Sequence, residues 1–233
     1  MAVPPTTEEA FLREVDEELR RDQLASVWTR WGRWIVVAVI TALALFATFL
    51  WWQNDQLARA GADGERLDKG LQNASDGKYP AANVDLEALK KTSSDGYRAS
   101  AMLTQAAIAL EKKDVKGAAK IYAEVAADPT IAKPWRDLAL IRQTASEFDT
   151  VSPQTVIARL KPLAVKGNPW FGSAGEMVAM AYLKQGKKDL AGKIFGDMAK
   201  DEQVPESLRS RAIQMAGVLG VDVIDATKEV KTQ

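Results

Sequence analysis

The chain has 233 residues, with 31 Lys and Arg balanced by 31 Asp and Glu and neither histidine nor cysteine. Without those two residue types there is no disulfide framework, no usual zinc ligand set and no Ser-His or Cys-His nucleophile pair. The even charge, lacking any long block of one sign, argues against an electrostatic nucleic-acid footprint.

The first stretch, TTEEAFLREVDEELRRDQL, reads as an amphipathic helix within a segment 1–33. Thr6 and Glu9 have capping-box spacing, Phe11, Val15 and Leu19 form one narrow apolar line, and the acids precede Arg20 and Arg21 as the helix dipole prefers. A solvated helix near a membrane surface explains this pattern better than a docking element.

Residues 34–52 follow. They contain no charged side chain and only Thr41 and Thr48 as polar ones. As a helix they extend roughly 28 Å, the hydrocarbon thickness of a bilayer. The anchor residues are Trp34, Ile35, Val36, Val37, Val39, Ile40, Leu43, Leu45, Phe46, Phe49, Leu50, Trp51 and Trp52. Tryptophans at both ends place their indoles at the headgroups. Ala58-Arg59-Ala60 imitates a signal cleavage site, but the apolar run is longer than a typical signal core and is preceded by more than thirty residues. An anchor that stays is therefore expected. Arg30 and Arg33 precede it and the next basic residue is Arg59, which predicts a cytoplasmic N-terminus with the larger part outside the cytoplasm.

From residue 53 to 220 the sequence is helical in composition and spacing, with no sustained strand-like alternation. Pro134, Pro153, Pro169 and Pro205 are expected in first helical turns, with Ser152 and Asn168 capping, and Gly77, Gly96, Gly117, Gly167 and Gly186 at or near connections. A row of helix hairpins results. Ala118, Lys120, Ile121 and Tyr122 recur 73 residues later as Ala191, Lys193, Ile194 and Phe195, about two tetratricopeptide repeats apart. Ala106, Ala118 and Tyr122, then Ala179, Tyr182, Ala191 and Phe195, are expected to pack the repeats, since small residues let helices approach closely. The fold class is thus all-α, one transmembrane helix followed by a tetratricopeptide-repeat-like solenoid. Residues 221–233 read as a tail. Acid pairs such as Asp85 with Glu87 are ordinary solvated charges, so no enzyme and no cofactor are expected.

The stretches DGYRASAMLTQAAIAL, YAEVAADPTIAKPWRDLALI, ARLKPLAVKGNPWFGSAGEMVAMAYLKQG and PESLRSRAIQMAGVLG, with the acidic N-terminus and single anchor, resemble the YfgM-like family of ancillary SecYEG translocon subunits, in its alphaproteobacterial form. The resemblance implies a single-pass bacterial inner-membrane protein whose periplasmic domain links exported proteins to periplasmic chaperones. It carries over no catalytic residue. Leu103, Ala107, Met177 and Met180 are candidates for an apolar client surface, although methionines on helices are more often gap-fillers between them. A scaffold subunit of another inner-membrane complex is the alternative function, and Gly32 with Ala38 and Ala42 would permit close helix packing in it. Protein partners and the bilayer are expected, not nucleic acid or a small-molecule substrate.

Overall fold

The computed structural model describes residues 7–222, with side chains from Thr29 onward. Thr6, the Phe11–Val15–Leu19 line and residues 223–233 of the expected tail therefore lie outside what is described. All nine elements in the described residues are helices: α1 (Thr7–Ser75), α2 (Tyr79–Leu89), α3 (Asp95–Glu111), α4 (Val115–Ala127), α5 (Lys133–Ser146), α6 (Pro153–Leu160), α7 (Phe171–Lys184), α8 (Lys188–Ala199) and α9 (Glu206–Val218). The chain divides into two compact units, residues 1–60 and 61–233.

The described residues of the first unit lie within α1. No proline interrupts the sequence between Thr7 and Ser75, and the glycines there are single, so nothing breaks the hydrogen-bond ladder. The apolar stretch is long enough to cross a membrane and none of its most apolar window is buried. Thr41 and Thr48 each donate their hydroxyl back to a carbonyl one turn earlier, those of Val37 and Ala44, both at 2.8 Å. A hydroxyl that returns its hydrogen bond to its own helix needs no partner from a hydrocarbon surrounding.

In the second unit the end of α1 forms a hairpin with α2. The crossing is close at Gly70, where a Cβ would come within 2.9 Å of Leu86 Cδ2. From α2 onward each helix packs on the next, and α3 with α5, α5 with α7 and α7 with α9 touch as well. The core is correspondingly serial. Leu86, Leu89 and Ala101 fill one cluster, Ala99, Val125 and Ala139 another, Val156, Leu160 and Val178 a third, and Ala191, Phe195 and Ala212 the last. Each of these four clusters joins one helix hairpin to the helix that follows it, which is how a repeat that cannot bury its own apolar face becomes stable.

The connections follow turn chemistry. Gly77, Gly167 and Gly186 have positive φ, where a side chain would be strained. Ser152 caps α6 by accepting from Thr155 N, and Pro134 and Pro153 lie in first turns. Two expectations are corrected. Pro169 lies two residues ahead of α7 and Pro205 is the residue preceding α9, while Asn168 accepts from Trp170 N in a side-chain turn instead of capping the helix. Gly96 and Gly117 fall inside the first turns of α3 and α4.

Candidate functional site

The residues expected to pack the repeats lie in the interior. Ala106, Ala118, Ala179 and Ala191 are fully buried, Tyr122 and Phe195 nearly so, and Tyr182 is half-buried between the two C-terminal clusters. Burial raises the Tyr122 phenol above its ordinary value, with the Arg142 charge opposing that shift. A tyrosine so placed stays neutral and serves as an aromatic filler.

Of the residues proposed for a client surface, Met177 and Met180 lie on α7 and Leu103 and Ala107 on α3. Met177 packs against the cluster of Val156, Leu160 and Val178, whereas Met180 packs against that of Phe171, Phe195 and Met198. Leu103 is half-buried and packs against two clusters that α3 and α4 share, that of Ala99, Val125 and Ala139 and a further one of Ala106, Ala118 and Tyr122, and only Ala107 is exposed. Both methionines thus act between helices, each against a different neighbour.

An open concavity lies elsewhere among the described residues. A cleft of about 450 Å³ runs between α2 and α4 with α3 as its floor. Gln105, Ile108 and Ala109 of α3, with Lys112 directly after its end, line it at spacings of three and four, continuing one stripe of the helix. At 100° per residue Leu103 and Ala107 fall on the opposite side of α3 from that stripe. Asn83, Glu87 and Lys90 form the α2 wall, and Asp114 and Ile121 the α4 wall.

The cleft's charges are largely settled among themselves. Gln105 Nε2 donates to Glu87 Oε2 at 3.1 Å and Lys90 Nζ lies 3.3 Å from the same oxygen. The Gln105 hydrogen bond, aided by Lys90, holds the Glu87 carboxyl below its usual range. Asp114 caps α4, accepting from Gly117 N at 2.9 Å. Lys112 differs: its ammonium lies 5.4 Å from the centre of the Tyr79 ring and has no carboxylate partner among the described residues.

At the other end of the array, Arg211 of α9 grips Glu176 of α7 with two hydrogen bonds, Nε to Oε1 at 2.9 Å and a terminal nitrogen to Oε2 at 2.7 Å. This planar clamp joins helices 35 positions apart and fixes the last repeat. Between α3 and α5, Asp95 Oδ2 accepts from Ala132 N, and Arg98 donates to Thr130 Oγ1 at 2.7 Å. These contacts set the angle between neighbouring repeats.

A family model described as a tetratricopeptide repeat-like domain matches residues 26–216. No curated protein and no solved structure matches the chain.

Proposed function

We propose, from the premise that this chain belongs to the tetratricopeptide repeat-like domain family, that it is a membrane-anchored module for protein–protein interaction. The observation that carries this reading is the extent of the family match, which takes in the exposed apolar helix together with the hairpins as parts of one kind of protein. Repeat arrays of this type are interaction scaffolds whose small and aromatic positions serve packing, which leaves their surfaces for partners.

In the proposed arrangement residues 1–33 are cytoplasmic, 34–52 cross the inner membrane, 53–220 form the periplasmic array and 221–233 a tail. Arg30 and Arg33 before the apolar run support this orientation. The likeness to YfgM-like proteins supports the narrower reading of an accessory subunit of the Sec translocon, passing exported chains to periplasmic chaperones. Affinity purification of the full chain from native nanodiscs, followed by mass spectrometry, tests it. Recovery of the SecYEG subunits with chaperones is the expected result; recovery of a different inner-membrane complex without them would replace it by a scaffold role there.

A further inference from the structure

We propose that residues 222–231 form the second helix of a last hairpin and lie along α9, over Ile213 and Gly217. Such a closure is independent of what the array binds.

Four helices end in one and the same turn. After α1, α3, α7 and α9 a residue takes a positive φ, namely Gly77, Lys113, Gly186 and Gly220 at 72°, 61°, 75° and 78°. The residue after it donates its backbone N–H to a carbonyl five positions back, Lys78 to Asn73, Asp114 to Ala109, Lys187 to Tyr182 and Val221 to Ala216, at 2.8, 2.8, 2.9 and 2.9 Å. The first three of these turns lead directly into α2, α4 and α8. Four and eight residues after Lys78, Asp114 and Lys187 stand a fully buried alanine and a large buried apolar residue: Ala82 and Leu86, Ala118 and Tyr122, Ala191 and Phe195. Counted from Asp222, one residue beyond the fourth turn, the same two places hold Ala226 and Val230. Asp222 thereby stands where Asp114 caps α4, with Asp225 early in the segment and Lys228 and Lys231 late, as a helix dipole prefers.

A receiving face exists on α9 and is open. Seven residues before the left-handed residue, Gly70 makes room for Leu86, Ala106 packs with Ala118 and Tyr122, and Ala179 with Ala191 and Phe195. All three are buried, whereas Ile213, at that place in α9, is only half-buried. Three residues before the turn, where the other hairpins carry Ala74, Leu110 and Leu183, Gly217 is exposed with no atom within 4 Å of its Cβ position. The chain also arrives already seated: Leu219 and Val221 pack on the last core cluster, and Val221 Cγ2 would lie 2.9 Å from a Cβ at Gly192. A helix over 223–231 is about 14 Å long and fits on the roughly 20 Å of α9. So short a tether presents it to that face at an effective concentration on the order of millimolar, against which a second copy competes poorly.

The chain has no cysteine, so disulfide trapping reads the contact directly. Gly217→Cys is combined with Ala226→Cys in one variant and with Lys228→Cys, on the opposite side of the proposed helix, in another; each full chain is oxidised in liposomes and its linked peptides are identified by mass spectrometry. Side chains at the place of Gly217 in the other three hairpins show that the fold accommodates one there. Intramolecular linking with Ala226→Cys and not with Lys228→Cys is the expected result. Equal linking at both, or none at either, overturns the proposal, because the segment then has no fixed register on α9. A disulfide between two copies in place of the internal one also overturns it, assigning the face to a neighbouring chain. Deleting residues 223–233 is expected to speed amide hydrogen exchange in α9 about tenfold and to leave α3 unchanged, and unchanged exchange in α9 would likewise overturn it.

Discussion

Lys113 and Gly186 occupy the same turn of two hairpins 73 positions apart, and both are left-handed, with φ of 61° and 75°. The hairpin geometry demands a positive φ there whichever residue occupies it. An ordinary L-residue in this region costs about 1–2 kcal/mol, offset by the smaller entropy it loses on folding compared with glycine. Gly186→Lys is therefore expected to lower stability by about 1 kcal/mol, and Lys113→Gly to raise it by a few tenths. No atom lies within 4 Å of a Cβ at Gly186, so the loss comes from the backbone and not from a clash. Urea titration of the full chain in nanodiscs, followed by helical circular dichroism, reads both.

The same pair of hairpins differs at the next residue. Asp114 precedes α4 at φ −88° and ψ 73° and its carboxylate accepts from Gly117 N; Lys187 precedes α8 at φ −86° and ψ 65° and caps nothing. The backbone before α8 is thus already shaped for a cap that its side chain does not supply. Lys187→Asp should accept from Leu190 N and stabilise by about 1 kcal/mol, and Asp114→Ala should lose a similar amount. A shift of the urea midpoint in opposite directions for the two variants is the expected result.

Much of this architecture is legible in the amino-acid order because it rests on local chemistry. Ala118 with Tyr122 and Ala191 with Phe195 stand four apart on one helix face, and small beside aromatic is what close helix packing requires. Helix starts near proline are less legible. A proline inside the first turn and one just before it share the same fixed φ and missing donor, so Pro153 and Pro205 read alike although only the first is inside its helix. The methionines show another limit. Met177 and Met180 belong to one stripe of α7, but that stripe straddles two neighbours, and only docking decides which residue each helix covers. The cleft is invisible for the same reason: Glu87, Gln105 and Lys112 become one surface only when α2 lies on α3.

Gly70 illustrates a helical glycine retained for space. Its missing Cβ leaves room for Leu86, whose Cδ2 and Cγ would be 2.9 and 3.1 Å away and which is fully buried, with nowhere to move. Gly70→Ala gains up to about 1 kcal/mol of helix propensity but forces overpacking of about 1–3 kcal/mol. Net destabilisation is expected. Gly217 in α9 has open space around it, so Gly217→Ala should be neutral or stabilising. Opposite signs for the two substitutions in urea titration would separate packing from propensity.

Acid should weaken the joint between α3 and α5. Thr130 donates both its hydroxyl and its backbone N–H to Asp128 Oδ1, at 2.6 and 2.8 Å, and these bonds hold the Asp128 carboxyl below its ordinary value. A lowered folded-state pKa contributes stability that is present above the ordinary carboxyl range and is lost as pH falls through that range towards the lowered value. Thr130→Val removes the hydroxyl bond. The wild-type advantage over this variant should therefore be larger at pH 7 than at pH 3, as measured by urea midpoints at the two values. Asp128 is largely solvated, so the change is expected to be small.

A charge at the middle of the apolar run distinguishes a helix in lipid from the same helix in water. Leu43 is 61% exposed, so in water Leu43→Arg would bury nothing, break no contact and improve solubility. In a bilayer the same substitution replaces a favourable residue by one costing about 2.5–3.5 kcal/mol at the centre, a net change of about 3 kcal/mol. The variant should shift from the carbonate-resistant membrane fraction into the soluble fraction. Gln53→Arg, just beyond Trp52, should remain in the membrane because its side chain can reach the headgroups. Equal fractionation of both variants with the parent would mean that residues 34–52 do not lie in hydrocarbon. The orientation then loses its premise too, since Arg30 and Arg33 can bias topology only around a segment that inserts.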